Sequence, residues 1–238
     1  MKKLLVSVIA IFMCICLLGC EKEKEAENLT EVDSPAIKSG GWTVNTEVVS
    51  AGISKDAKAA LDKALEEYDG MTFEPVALLG TQVVAGTNYM ILCKGTTVTQ
   101  TPVTSLKVVV VYKDLKGNAI ISKVSDFDLE KYVSKDIAYP TDEVVGGWTV
   151  NTEFENANLP TDASTAFKGV QLTGASYTPV VLLGSQVVAG TNYAILAVGK
   201  TTTQTPITTL DVLTIYKDLE GKSKLTSIAY IDLAEFNK

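Results

Sequence analysis

Apolar and polar positions along residues 40–129 predict a short strand, one helix and then four further strands. Val44, Thr46 and Val48 alternate with polar neighbours, which is typical of a half-buried strand. Ser54 is a suitable N-cap for the helix that follows, and Gly70 comes just after it. The apolar stripe of that helix consists of Ala57, Leu61, Ala64, Leu65 and Tyr68. The strand-like segments after it are residues 73–84, 87–94, 106–115 and 119–127.

The same order of elements returns in the second half of the chain. GGWTVNTE occupies residues 40–47 and again 146–153, and QVVAGTNY occupies residues 82–89 and again 186–193. The offset falls from 106 to 104 residues between these pairs, so a shorter second helix is expected to absorb the difference. Its stripe consists of Ala163, Ala166, Phe167 and Val170, closed by Gly174. The matching strands are residues 177–188, 191–198, 210–219 and 224–231.

A repeat of about 105 residues is too long for a solenoid unit and has the size of a small globular domain. We therefore expect an α+β fold of two tandem domains, each a curved antiparallel sheet wrapped around one α-helix. The predicted domains are residues 36–132 and 143–238, and residues 133–142, which include Pro140, are the predicted linker.

The N-terminal residues differ in character from the repeats. Lys2 and Lys3 precede an apolar run at residues 4–18, which is too short for a spanning helix and suits a signal peptide. Leu17-Leu18-Gly19-Cys20 resembles the bacterial lipobox, which implies a lipoprotein signal peptide at residues 1–19 and a lipid anchor on Cys20. The protein would then lie outside the cytoplasm, anchored in a bacterial cell envelope, with residues 20–35 as a disordered tether. An uncleaved anchor and an ordinary secretory signal are the alternatives.

Composition and charge exclude several classes of function. The 238 residues contain 21 lysines, 28 acidic residues and neither arginine nor histidine, for a formal net charge of −7. The usual histidine-based catalytic sets cannot be built, and the charge has the wrong sign for nucleic acid. We therefore expect no enzyme activity, no metal or cofactor and no nucleic-acid partner. Asp114 and Asp218, which recur in both repeats, are interpreted as turn residues, and Cys93, which aligns with Ala197, as a packed thiol.

The hairpin apex between the second and third strands is apolar in both repeats. It reads Val83-Val84-Ala85-Gly86 and Val187-Val188-Ala189-Gly190, whereas hairpin tips normally carry polar pairs such as Asn-Gly. Two valines at an exposed bend imply that a partner covers them. The alternative is that the valines continue a buried strand and that the turn falls at Gly86-Thr87.

The whole segment QVVAGTNY resembles the first binding loop and following strand of the cystatin family, especially its stefin branch. The similarity extends to Val144-Val145-Gly146-Gly147, which is like the N-terminal trunk of that family. It extends also to residues 112–118 and 216–221, which are like its second hairpin. The resemblance covers nearly all of residues 40–129 and 146–233 in the order of elements deduced above.

Membership of that family would imply a reversible inhibitor of papain-like cysteine proteases. There, the trunk and two hairpins form a wedge that enters the active-site cleft, and no inhibitor residue does chemistry. One or two proteases would bind to each chain, which we expect to be a monomer. The first wedge would consist of Gly40, Gly41, Gln82, Val83, Val84, Ala85, Gly86 and Leu115. The second would consist of Val144, Val145, Gly146, Gly147, Gln186, Val187, Val188, Ala189, Gly190 and Leu219.

Departures from the family pattern leave one rival open. Lys38 and Ser39 stand where the second repeat has Val144 and Val145, so the first wedge is expected to bind more weakly or at a different subsite. Trp42 and Trp148 are interpreted as strand residues packing on the sheet. The rival function is a surface lipoprotein with the same fold that acts in adhesion or ligand binding without inhibiting a protease.

Overall fold

The computed structural model of the chain describes residues 40–47, 52–133, 146–154 and 159–237. The predicted signal peptide, Cys20 and the tether lie outside the described residues, as do Val144, Val145 and all of the predicted linker except Val133.

The first repeat forms a five-stranded antiparallel sheet with strand order β1-β2-β3-β4-β5. Its strands are β1 (Trp42–Val44), β2 (Met71–Val84), β3 (Gly86–Thr97), β4 (Thr104–Asp114) and β5 (Ala119–Asp126). The pairing register of β2 against β3 shifts after Pro75 and again after Leu78. Such bulges bend a strand and increase its twist, and a bulge also tolerates the missing N–H of a proline.

One helix, α1 (Lys55–Leu65), packs against a face of this sheet. The Ser54 hydroxyl accepts a hydrogen bond from the Ala57 N–H at 3.3 Å, which is the predicted N-cap. Ala57, Ala60, Leu61 and Ala64 are buried, at the spacing that places them on one side of a helix. They share a core with Ile91 of β3 and Val109 of β4.

The second repeat forms a matching sheet with strand order β10-β9-β8-β7-β6. Its strands are β6 (Thr149–Val150), β7 (Ala175–Val188), β8 (Gly190–Thr201), β9 (Thr208–Lys217) and β10 (Ser223–Tyr230). The helix α2 (Thr161–Lys168) is three residues shorter than α1, which confirms the predicted shortening. The expectation that Val170 and Gly174 complete it is wrong, because the helix ends at Lys168 and Gly169 caps it.

The faces of the two sheets that do not carry helices are buried in one shared apolar core. Leu79, Met90 and Val110 of the first repeat belong to the same buried cluster as Leu183 and Val212 of the second. The described residues of both repeats accordingly belong to one compact unit. The α+β class with two antiparallel sheets is confirmed. The domain boundaries predicted at residues 132 and 143 stay a prediction.

Each repeat ends in a short 3₁₀ segment, which we name tail turn 1 (Leu129–Lys131) and tail turn 2 (Leu233–Asn237). Leu129 and Leu233 are buried in the shared core. The ring of Phe127, just before tail turn 1, stacks on Tyr132 at 5.2 Å and on Phe236 of tail turn 2 at 6.3 Å between centroids. The two tail turns therefore help to join the two repeats.

Candidate functional site

Three segments of each repeat meet at one end of its sheet, where the hairpin turns lie. In the first repeat, Trp42 pairs with Gln82 near the end of the β2–β3 hairpin, and Gly86 pairs with Asp114 at the start of the β4–β5 hairpin. These pairs bring the glycines before β1 and the two hairpins together. We name this set, Gly40-Gly41, residues 82–86 and Leu115, tip edge 1. Tip edge 2 is the matching set, Gly146-Gly147, residues 186–190 and Leu219.

Most apolar side chains at the two tip edges are exposed. Val83 and Val187 are 61% and 71% exposed, and Leu115 and Leu219 are 86% and 80% exposed. Val84 is also exposed and Val188 is half-buried. β2 does continue to Val84, as the alternative interpretation held, but that interpretation is wrong in expecting the valines to be buried. Each tip edge is thus a protruding apolar surface.

Glycine is required where the two hairpins touch. Gly86 and Gly190 have φ angles of +139° and +126°, which other residues rarely adopt. A side chain built on Gly86 would overlap the carbonyl oxygen of Lys113, and one on Gly190 would overlap that of Lys217. The close approach of the two hairpins therefore depends on these glycines.

Hydrogen bonds hold the three segments in place. The Gln82 side-chain amide donates to the Gly40 carbonyl at 2.5 Å and accepts from the Asn88 side-chain amide at 2.7 Å. The Tyr112 hydroxyl donates to the Ala85 carbonyl at 2.7 Å, which ties the apex of the first hairpin to β4. Because these bonds fix the backbone of the tips, the valines are presented in a defined position.

Tip edge 2 repeats this network. Gln186 donates to the Gly146 carbonyl at 2.8 Å and accepts from Asn192 at 2.9 Å, and the Tyr216 hydroxyl donates to the Ala189 carbonyl. The glutamines belong to the site residues predicted from the sequence, whereas the tyrosines and asparagines do not. Their identity in the two repeats, 104 residues apart, is the signal that could have identified them.

The second hairpin of each repeat is shaped by an aspartate. Asp114 accepts hydrogen bonds from the backbone N–H groups of Lys116 and Asn118 and from the Asn118 side chain, at 2.8 to 2.9 Å. These bonds, that of the Asn118 side chain first, hold the pKa of Asp114 below its ordinary value. Asp218 accepts in the same way from the Lys222 N–H at 2.7 Å. Both aspartates have hydrogen bonds typical of turn residues, as the sequence analysis interpreted them.

Other residues singled out in the sequence have structural roles. Trp42 lies in β1 as predicted, whereas Trp148 lies just before β6, and both pack against the shared core. Cys93 is fully buried against α1, and this burial raises the pKa of its thiol, which keeps it protonated. The Ala197 position is buried as well.

The chemistry available at a tip edge is that of contact. Apolar side chains project from a pair of hydrogen-bonded hairpins, a shape that could fill a groove on a partner. Within the described residues, no group of three or more His, Cys, Asp or Glu side chains is arranged to hold a metal ion. In the same part of the chain, no helix is long and apolar enough to cross a bilayer.

No protein-family model matches the chain, and no curated protein matches it.

Proposed function

We propose that the chain is a reversible inhibitor of papain-like cysteine proteases, built from two cystatin-like repeats that block the active-site cleft. The observation that carries this proposal is the exposed valine tip held between a glycine segment and an exposed leucine, present once in each repeat. Soluble proteins rarely leave apolar side chains together at a rigid protrusion unless a partner covers them.

The arrangement of the three segments also supports the proposal. A substrate cleft is long and narrow, so a blocking element must be thin and must bring its backbone close to the cleft walls. Gly40, Gly41 and Gly86 lack side chains at the points where such an approach is needed, and the matching glycines do so in the second repeat. Neither tip edge needs to present a reactive group, because occupation of the cleft alone excludes substrate.

The energy of such contacts is adequate for inhibition. Burying a valine contributes about 1.5 to 3 kcal/mol, so two valines, an alanine and a leucine give about 6 to 10 kcal/mol before the costs of association. A nanomolar complex corresponds to about 12 kcal/mol, so backbone hydrogen bonds must supply part of the affinity.

The test is titration of active papain with the chain from residue 36 onward, which contains the whole compact unit. We expect saturable inhibition, with two equivalents of protease bound if both tip edges are competent. Val187→Asp should reduce the stoichiometry to one by removing tip edge 2, and Val83→Asp should do the same for tip edge 1. Each should weaken its own site at least about 100-fold, because a carboxylate would be buried without a partner.

Val98→Asp is the matched control. Val98 is 66% exposed, follows β3 at the opposite end of the same sheet and is as accessible as the tip valines. This variant should inhibit like the unmodified chain. Folded protein that leaves papain fully active at micromolar concentration would contradict the proposal and favour an adhesion or ligand-binding role.

We further propose that lipidation of Cys20 anchors the protein outside the cytoplasm of a bacterial cell. Mass spectrometry of detergent-extracted protein should find acyl chains on Cys20, and Cys20→Ala should move the protein from the membrane fraction to the soluble fraction.

A further inference from the structure

The glycine segment of each tip edge rests on a very short strand. Within the described residues, β1 contains three residues and its ladder runs along Gly80–Gln82, near the end of β2. β6 contains two residues and pairs only with Gly184 and Ser185 of β7. So few ladder bonds hold a strand weakly, and its position needs support from another part of the molecule.

That support comes from the opposite repeat. A side-chain carbon built on Gly80 would lie 2.6 Å from Cδ1 of Leu233, in tail turn 2, and 2.7 Å from the carbonyl oxygen of Thr43 in β1. A Cβ atom placed on Gly184 would likewise lie 2.7 Å from Cδ2 of Leu129, in tail turn 1, and 2.7 Å from the carbonyl oxygen of Thr149 in β6. Each leucine therefore packs where its partner repeat joins the short strand to the sheet.

Further contacts link the tail turns to the same region. Tail turn 2 contacts β1 directly, and Trp42 of β1 packs on the shared core to which Leu233 belongs. Trp148, just before β6, packs on this core as well, and Leu129 is one of its members. The packing of a tail-turn leucine on a glycine of the opposite sheet is therefore reciprocal between the two repeats.

We infer that Leu233 and Leu129 are positioning residues, each of which holds the glycine segment of the opposite repeat against its hairpin. Leu233, close to the C-terminus, supports tip edge 1, and Leu129 of the first repeat supports tip edge 2. The affinity of each tip edge for a protease then depends on the tail turn of the other repeat. The effect on inhibition rests on the proposed function, whereas the support itself does not.

The inhibition test uses Leu233→Ala and Leu129→Ala, each in a Val187→Asp chain, which retains tip edge 1, and in a Val83→Asp chain, which retains tip edge 2. We expect Leu233→Ala to weaken papain binding about 10-fold at tip edge 1 and less than 2-fold at tip edge 2. Leu129→Ala should show the opposite pattern. Leu233→Met, which conserves side-chain volume, should restore binding at tip edge 1.

A second measurement does not require a protease. The Asn45 N–H donates to the Leu79 carbonyl at 2.9 Å, and the Asn151 N–H donates to the Leu183 carbonyl at 2.8 Å, so these amides report the attachment of β1 and β6. Leu233→Ala should accelerate hydrogen exchange at Asn45 at least 10-fold more than at Asn151, and Leu129→Ala should do the reverse. Leu233→Val and Leu129→Val, which are smaller deletions, replace the alanine variants if those do not fold.

Equal acceleration at both amides, or none at either, would overturn the inference, because a purely general loss of stability has no preference between the repeats. So would equal weakening of both tip edges. If the unmodified chain does not inhibit papain, the proposed function fails and the exchange pattern alone decides whether the tail turns support the opposite repeat.

Discussion

The first and second repeats build matching sheets on helices of different length. α1 has 11 residues, a serine cap and four buried side chains, whereas α2 has 8 residues, no side-chain cap and two buried side chains. Both sheets nevertheless have the same strand order and bulges at matching positions. The length of the helix can therefore differ between the repeats without changing the sheet. The opposite face of each sheet is buried against the other repeat, and this packing does not involve the helix.

The largest effect is expected in the core that the repeats share. Leu79 and Leu183 are buried at matching positions of β2 and β7. Leu79→Ala and Leu183→Ala should each lower the free energy of unfolding by about 2 to 5 kcal/mol. Because the core is common, either substitution should shift a single urea transition that is reported alike by Trp42 and Trp148 fluorescence.

The readout uses Trp148→Phe to observe Trp42 alone and Trp42→Phe to observe Trp148 alone. Two separate transitions, of which only one moves in Leu183→Ala, would show that the repeats unfold as independent domains.

A second difference between the repeats is a charge on the sheet face. In the first repeat Lys107 of β4 faces Asp126 of β5, and the two form an ion pair. The matching pair in the second repeat is Asp211 and Tyr230, and Asp211 is buried. Burial raises the pKa of Asp211, although a hydrogen bond from the Thr209 hydroxyl opposes the shift.

The raised pKa predicts how stability depends on pH. A carboxyl group with a higher pKa in the folded state contributes fully below its ordinary value of 3.8, and this contribution is lost as the pH rises through the folded value. Asp211→Asn should therefore raise the free energy of unfolding by about 1 kcal/mol at neutral pH. It should also reduce the pH dependence of the urea midpoint above pH 4.

Asp62→Asn, on the exposed side of α1, is the control for that measurement. Its carboxylate pairs with Lys58 at the surface, so the substitution should change the free energy of unfolding by at most about 0.5 kcal/mol. A loss of stability at neutral pH in Asp211→Asn would contradict the expectation.

The smallest effect concerns the charge beside each tip edge. Lys116 and Glu220 are exposed and occupy the same position in the second hairpin, directly after Leu115 and Leu219. Lys116→Glu and Glu220→Lys should change the rate of association with one protease about 3-fold at low salt, in opposite directions. Association is measured in the chains that retain one tip edge.

Both differences should vanish in about 0.5 M salt, where screening is strong. Association rates that do not respond to either substitution would place this hairpin away from the protease surface.

Local features could be predicted well because they depend on neighbouring residues. The end of β2 at Val84 follows from the pattern of apolar and polar residues along the strand. The start of α1 follows from a single side chain, the Ser54 hydroxyl that caps it. The exposed tip valines were expected from their place at a hairpin apex and from the resemblance of QVVAGTNY to a binding loop, whereas the apolar pattern alone left a buried strand open. The hydrogen bond from Tyr112 to the Ala85 carbonyl could not be predicted, since it joins positions 27 residues apart.

The contact between the two sheets leaves a signal in the sequence. Met90, Ile91 and Leu92 are consecutive and buried, and Val108–Val111 are as well, which is typical of strands covered on both faces. A helix can cover only one of those faces, so the other face requires a second layer.

The sequence by itself determined the order of the strands and helices, most of their limits to within three residues, and the apolar hairpin apex, because each depends on side-chain period, caps or glycine within a few residues. Only the tertiary structure decided what covers the second face of each sheet and which tail turn supports which tip edge. An apolar face is compatible with a helix, another molecule or a second sheet, and the choice depends on the shape of the whole chain. Here the second repeat supplies the corresponding apolar face, and the two repeats bury those faces together.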